Sequence, residues 1–417
     1  MKTFKHALSF FFVLSLLLVF TSCDGGGGNS PVDTSPGEVT SLETSFDNQR
    51  IRLIWEDPSD PDFDHVLITW SPTGTAEQTI SSGIESFTAT GLINGTEYTF
   101  TVQTVDSTGK ISTGVQIKQK PYAAGHGIAC SVDGTAFTMR CVPAKQFYSG
   151  VYGSTNSEVI RSFAIGDTEV TYELWKKIYD WAIHSDRGVG RYYFQNEGCQ
   201  GNYYDSTTTN QHPVMSVSWR DAMVWCNALS EYYNEMNGTS LECAYRASGS
   251  PIRDSRDANA SVCDAVTAYI NTGGFRLPAR NEWELAATYI IDSNDDGDVK
   301  DAGEFYPATH VSGDTTNPCY SSSGATISTI FGNYAWYFDN SGDTSHPVIT
   351  KSANALTIYD MCGNAAEWLF DIASGTARNQ FQGDFANNSQ YLQLGYISSN
   401  PSNSRSYTYG FRIAVKP

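Results

Sequence analysis

The 417-residue sequence is short of positive charge. It has 26 Lys and Arg against 45 Asp and Glu, a formal net charge of −19 with pI near 4.6. That balance excludes nucleic acid as a partner, because phosphate backbones demand a basic footprint. It also argues against adhesion to anionic lipid and suits a protein kept soluble outside a membrane. No apolar run reaches the ~20 residues that a bilayer-spanning helix needs. No Cys-x-x-Cys pair occurs, so a zinc knuckle is not expected. His184, His212, His310 and His346 are scattered, with no HExxH pattern and no nucleophile elbow. His212 and His346 both precede Pro-Val and read as structural residues at strand entrances. No phosphate-cradling glycine loop stands before a helix, and no Arg-Gly-Asp tripeptide is present.

What is present begins at the N-terminus. Lys2, Lys5 and His6 precede an apolar run from Ala7 to Phe20, the layout of a secretory signal peptide over residues 1–22. The run ends at Thr21-Ser22-Cys23. These residues resemble the lipobox of bacterial lipoproteins, although Phe20 stands where that pattern prefers an aliphatic residue. The resemblance implies lipidation at Cys23 and an exported protein, anchored on the outer membrane, the cell surface or a periplasmic face. Asp24 and Gly25 to Gly28 then read as part of a flexible tether over residues 23–35. Aromatic residues make up 13% of the chain, enough for a large core beyond that tether. Apart from Cys23, eight cysteines remain: Cys130, Cys141, Cys199, Cys226, Cys243, Cys263, Cys319 and Cys362. An even set in an exported protein suggests disulfides, with Cys130–Cys141 and Cys243–Cys263 as local guesses.

From residue 36 to 122 the pattern alternates. Ile51, Leu53 and Trp55 share one face, with Arg52 and Glu56 on the other. Val66, Ile68 and Trp70 repeat the period, as do Tyr98, Phe100, Val102 and Thr104. Turn signals at Asp57-Pro58, Pro72-Thr73-Gly74, Asn94-Gly95 and Thr108-Gly109 separate these runs. The expectation is an antiparallel sandwich. Trp55, the stretch Gly91 to Tyr98 and the stretch Val105 to Lys110 resemble strand C, the E–F corner and the F–G turn of fibronectin type III modules. Tyr98 would be the corner tyrosine. The resemblance implies a spacer or binding module without chemistry of its own.

Residues 125–417 read as a mixed α+β, loop-rich domain. Leu174, Trp175, Ile178 and Trp181 keep helical spacing. Ser218 and Asp221 approach a capping box ahead of Ala222, Cys226, Leu229 and Tyr233. Pro278 opens a third helix with Trp283, Ala286, Ala287 and Ile290 inward. Four motifs follow in order: His212 to Ala222, Gly274 to Glu284, Tyr359 to Trp368, and Gly410-Phe411-Arg412. Together they resemble the sulfatase-modifying-factor, or formylglycine-generating-enzyme, domain, whose fold is related to C-type lectins. The family reaction oxidises a substrate cysteine with oxygen and a copper ion held by two cysteines, placed between a Gly-Gly-Ser-Tyr-like turn and the final Gly-Phe-Arg. Here that turn is Gln382-Gly383-Asp384-Phe385, and Ala386 to Tyr409 contains no cysteine. By spacing, Leu392 and Ile397 fall near the two positions. Aliphatic side chains offer Cu(I) no donor, so copper is not expected and no catalytic residue is assigned.

The same resemblance implies calcium. Asp360 and Glu367 would offer carboxylates, with the carbonyls of Met361, Gly363 and Ala365; the bland alternative is a hydrogen-bonded turn with Glu367 buried as a capping group. Asn333 and Tyr334 resemble a second calcium site more loosely. Asp292, Asn294 and Asp296 before Gly297 mimic the start of an EF-hand loop, but position twelve is Gly303 and Glu304 comes one residue late. We read that stretch as a solvated surface loop, with a nonstandard calcium loop as the alternative.

Residues 376–409 mix Asn, Ser and Tyr, the residues of adaptable binding surfaces. Asn387, Asn388, Tyr391, Tyr396, Asn400, Asn403, Arg405, Tyr407 and Tyr409 are the candidate ligand contacts. The segment also resembles the variable proteins of diversity-generating retroelements, since Asn, Ser and Tyr are reached by randomising the adenines of AAC codons. The leading expectation is a noncatalytic, membrane-anchored lipoprotein that binds an extracellular protein or glycan. The alternative is an oxidase that makes formylglycine or performs a related oxidation on a protein cysteine.

Overall fold

Period-two alternation builds the N-terminal sandwich. The computed structural model describes residues 34–72, 77–150, 153–202, 204–268 and 272–417. The expected signal segment, Cys23, nearly all of the tether and the turn at Thr73-Gly74 lie outside the described residues. Seven strands follow: β1 (Thr40–Asp47), β2 (Arg50–Glu56), β3 (Phe63–Ser71), β4 (Gln78–Ser81), β5 (Ser86–Thr90), β6 (Tyr98–Asp106) and β7 (Val115–Gln119). They form two antiparallel sheets, ordered β1-β2-β5 and β4-β3-β6-β7. The inward residues of β2, β3 and β6 make one core, including Leu53, Trp55, Ile68, Tyr98 and Phe100. The Tyr98 hydroxyl accepts the Ile93 N–H at 3.0 Å, the corner that the sequence predicted. Trp55 needs a correction. It lies on β2, in the three-stranded sheet, and the tryptophan of the third strand is Trp70. The first strand carries the polar sequence TSLETSFD, which hid it from a pattern reading and shifted the strand count by one.

The sandwich is joined to the rest of the chain by more than a linker. Phe46, near the end of β1, is buried against Tyr122, edge to face at 5.6 Å. Its N–H donates to Ser162 Oγ at 2.7 Å, and the Ser162 N–H donates to Ser45 Oγ. Lys145 is 4% exposed and places its ammonium 2.8 Å from both Asp47 and Asp292. Arg161 pairs with Glu43, and Arg50 with Asp295.

In the C-terminal domain one four-stranded sheet runs in the order Ala414–Val415, Phe163–Gly166, Thr135–Val142, Gly127–Val132. Two helices pack on it: α1 (Tyr172–Ile183) and α2 (Trp219–Asn237). Thr171 caps α1, which buries Leu174, Trp175 and Ile178 as its spacing predicts; Trp181 is only half-buried and stacks on Tyr232. Ser218 and Asp221 complete a reciprocal capping box on α2. Trp175 stacks on Trp225 at 5.7 Å, and the Phe411 ring meets both edge-on. The third predicted helix is Arg280–Thr288; Ile290 lies beyond its end. A second sheet orders Ile397–Pro401, Ala377–Phe381, Ala366–Ser374 and Tyr409–Gly410, the last pair parallel.

The disulfide expectation is overturned. All eight described cysteines are thiols, seven of them buried. Register explains the nearest guess: Cys130 sits opposite Phe137, while Cys141 pairs with Ala164. Cys243 and Cys263 donate to different carbonyls, of Asn227 and Asp254.

Candidate functional site

A cleft of about 690 Å³ opens between residues 195–199 with Tyr204 and the C-terminal segment at 405–407. Its first wall is set by the start of α2. Asp221, buried at that N-terminus, accepts the N–H groups of Gln195 and Asn196 and the Asn196 side-chain amide. Gly198 then adopts φ +73, and a Cβ there would lie 2.9 Å from the Trp175 indole nitrogen, so only glycine fits the turn. The floor is Cys199, whose strand pairs it with Met215, and the next residue, Ser216. The Cys199 thiol donates to the Gly201 carbonyl and to Ser216 Oγ at 3.2–3.3 Å. Burial pushes that thiol upward, against hydrogen bonding from Ser216 and the charge of Arg405, so it is held as a thiol rather than as a reactive thiolate. Ser216 N–H donates to the Ser406 carbonyl, tying the floor to the second wall. Tyr204 and Tyr407, both exposed, meet edge to face at 5.7 Å.

The candidate contacts are therefore dispersed. Arg405 and Tyr407 line the cleft. Asn403 is exposed two residues away. Asn400 donates to Gln380 inside the second sheet, and Tyr409 packs edge-on against Trp368. Tyr391 and Tyr396 pack on each other at 5.0 Å. Asn388 is exposed just before the turn Ser389–Leu392, and Asn387 is half-buried with its carbonyl accepting the Phe338 N–H. Sequence reasoning missed Gln195 to Cys199 and Tyr204. Their signal, a glycine amid polar residues just upstream of the His212 motif, was too slight.

The copper positions contain apolar side chains. Leu392 is fully buried and Ile397 packs against the same core cluster, which also holds Cys319 and Cys362. Cys319 donates to the Ser389 carbonyl, beside the C-terminal segment. Burial pushes its thiol up to about 12 and that of Cys362 higher still. Thiolates are the copper ligands, so the residues present do not fit that metal.

At the turn resembling a calcium site, Glu367 is already engaged. Arg412 grips it with two hydrogen bonds at 2.6 and 2.7 Å, and the Trp283 indole N–H donates at 2.7 Å. All three groups are buried. Asp360 accepts the Ile349 N–H through Oδ2, but its Oδ1 is buried without a partner. Glu169, 1% exposed, has neither oxygen partnered. Burial and the neighbouring Asp360 push Glu169 well above the usual carboxylate range. Burial likewise lifts Asp360 to about 6. Asn333 ends a single 3-10 turn, exposed, its carbonyl accepting the Ser352 N–H; Tyr334 follows it. Among the described residues no three His, Cys, Asp or Glu side chains converge as a metal-holding group. In the EF-hand-like stretch, Asn294 to Gly297 are exposed, but Asp292 is turned onto Lys145 and Glu304 accepts from Ser293 and Asp301. His212 is buried before the strand Val214–Met215, as expected. His346 instead precedes a turn and stacks on Trp336 at 3.6 Å.

With this geometry in hand, comparison with known proteins is decisive at the family level. Residues 127–417 match the sulfatase-modifying factor enzyme 1-like domain. The chain belongs to that family. Residues 35–119 match the fibronectin type III domain. Chaperone protein LppX of Paenibacillus barcinonensis is 27% identical over 222 residues, 52% of this chain and 65% of that protein. The chain thus spans about two thirds of the length of this curated relative. Among solved structures, Treponema denticola variable protein 1 is 27% identical, covering 70% of this chain and 99% of its own with TM-score 0.48. CarF is 23% identical, covering 66% and 97% with TM-score 0.49. No helix among the described residues is long and apolar enough to cross a membrane.

Proposed function

We propose that this protein is an exported, lipid-anchored binding protein. In this reading its sulfatase-modifying-factor-like domain holds an extracellular ligand in the cleft rather than oxidising a cysteine. One observation carries the reading: the C-terminal stretch from Ala386 to Tyr409 has no cysteine, and Leu392 and Ile397 belong to the apolar packing. Lipidation would fall on Cys23. The test is copper titration of the full chain with a thiol peptide under oxygen. No turnover is expected; formation of an aldehyde product would overturn the reading.

Calcium is part of the proposal with a reduced donor set. Asp360 Oδ1 and the carbonyls of Met361, Gly363 and Ala365 would hold it, while Glu367 stays with Arg412. The support is charge: Glu169, Asp360 and Glu367 are buried around one guanidinium, Arg412, with Lys351 a further cation acting on Asp360, and uncompensated buried charge is costly. Oxygen donors of this kind suit a hard cation. A melting temperature raised by calcium and restored by chelator is expected for the native chain and not for Asp360→Ala. Equal response of both proteins to calcium counts against the site.

A further inference from the structure

Resting on the reading of the cleft as a ligand site, we infer that its ligand is a polypeptide segment carrying an acidic and a basic side chain close together, received between Arg405 and Glu197. Both residues are exposed and line the same cleft, from different walls. Neither has an ion-pair partner among the described residues. Arginines such as Arg187, Arg220, Arg276 and Arg412 are each paired with an acid, whereas Arg405 is left open to the cleft. The two charges are presented to solvent unneutralised on rigid supports. Glu197 follows the segment pinned by Asp221, and its own carbonyl accepts the Trp175 indole N–H at 2.8 Å. Arg405 precedes Ser406, whose carbonyl is fixed by the Ser216 N–H.

The charge pattern selects among ligand classes. A neutral glycan can hydrogen-bond to both groups through its hydroxyls but neutralises neither charge. An acidic glycan satisfies Arg405 but brings a second carboxylate toward Glu197, and like charges at an interface are costly. A peptide with adjacent acidic and basic side chains satisfies both. Tyr204 and Tyr407 add aromatic contact area beside the charges, with little conformational freedom to lose on binding. Guanidinium–carboxylate pairing gives Arg405 directional hydrogen bonds.

The test uses the full chain and dye-labelled decapeptides of Gly-Ser sequence with a central Phe. They bear a Lys-Asp pair, two Asp, two Lys or no charge, and are compared by fluorescence polarisation. A neutral and a uronic-acid oligosaccharide serve as competitors. The Lys-Asp peptide is expected to bind roughly tenfold more tightly than the uncharged one, the difference of one well-made polar contact. Arg405→Gln and Glu197→Gln should each abolish most of that selectivity; both sites are exposed, and unchanged melting curves confirm folding. Equal binding of charged and uncharged peptides, stronger competition by the uronic-acid oligosaccharide, indifference to both substitutions, or no peptide binding would each overturn the inference. These results leave the noncatalytic reading standing, which only turnover of a thiol peptide would defeat.

Discussion

Asp384 is a buried acid whose cost depends on pH. Desolvation pushes its carboxyl up to about 7, although the Ala386 N–H and other donors pull it down. A raised folded pKa means that the folded state holds a proton the unfolded state has released. Stability on this account falls as pH rises from about 4 to about 7 and is level above that. Asp384→Asn keeps an oxygen to accept the same N–H and removes the charge. It should gain roughly 1–3 kcal/mol on the native protein between pH ~4 and ~8. Urea denaturation at several pH values checks this, and parallel curves for the two proteins would refute it. Lys145 has the opposite character. Its charge is favoured by two acids, despite burial that opposes it. Lys145→Met leaves Asp47 and Asp292 facing each other, at an expected cost of about 3 kcal/mol read from denaturant midpoints.

At the scale of elements, the start of α2 has two roles. It caps the helix through Ser218 and Asp221 and fixes the loop at 195–197. Ser218→Ala should cost about 1 kcal/mol. Asp221→Ala should cost more, since it also orphans the loop N–H groups. Faster hydrogen exchange at Gln195 and Asn196 than in Ser218→Ala checks this, and equal exchange would show that the loop stands without the carboxylate. The capping box, the corner tyrosine and the alternating strands were legible because each is a local pattern of side chains. The first strand was not, since its outward positions are polar and its inward ones few. Nor were the cleft walls, which come from irregular backbone held by side chains distant in sequence. The polar segment near residue 400 looked like a free surface, yet Arg378 to Gln380 pair it into a sheet. Composition alone could not distinguish a binding loop from an edge strand. Glu367 read as a metal ligand because its partner, Arg412, lies 45 residues away.

At the scale of the whole molecule, the thiols give a simple readout. Seven of the eight described cysteines are buried and only Cys199 is partly open to the cleft. An aromatic disulfide reagent should label Cys199 slowly in the native protein and all eight after denaturation. Rapid native labelling of several cysteines would contradict the core packing. The junction at Phe46 and Lys145 has a mechanical consequence. A sandwich welded on by a buried ring, an interior ammonium and flanking ion pairs does not swivel like a bead on a string. It acts as a stiff handle, so in the proposed lipid-anchored protein the angle of the tether would dictate the direction in which the cleft faces.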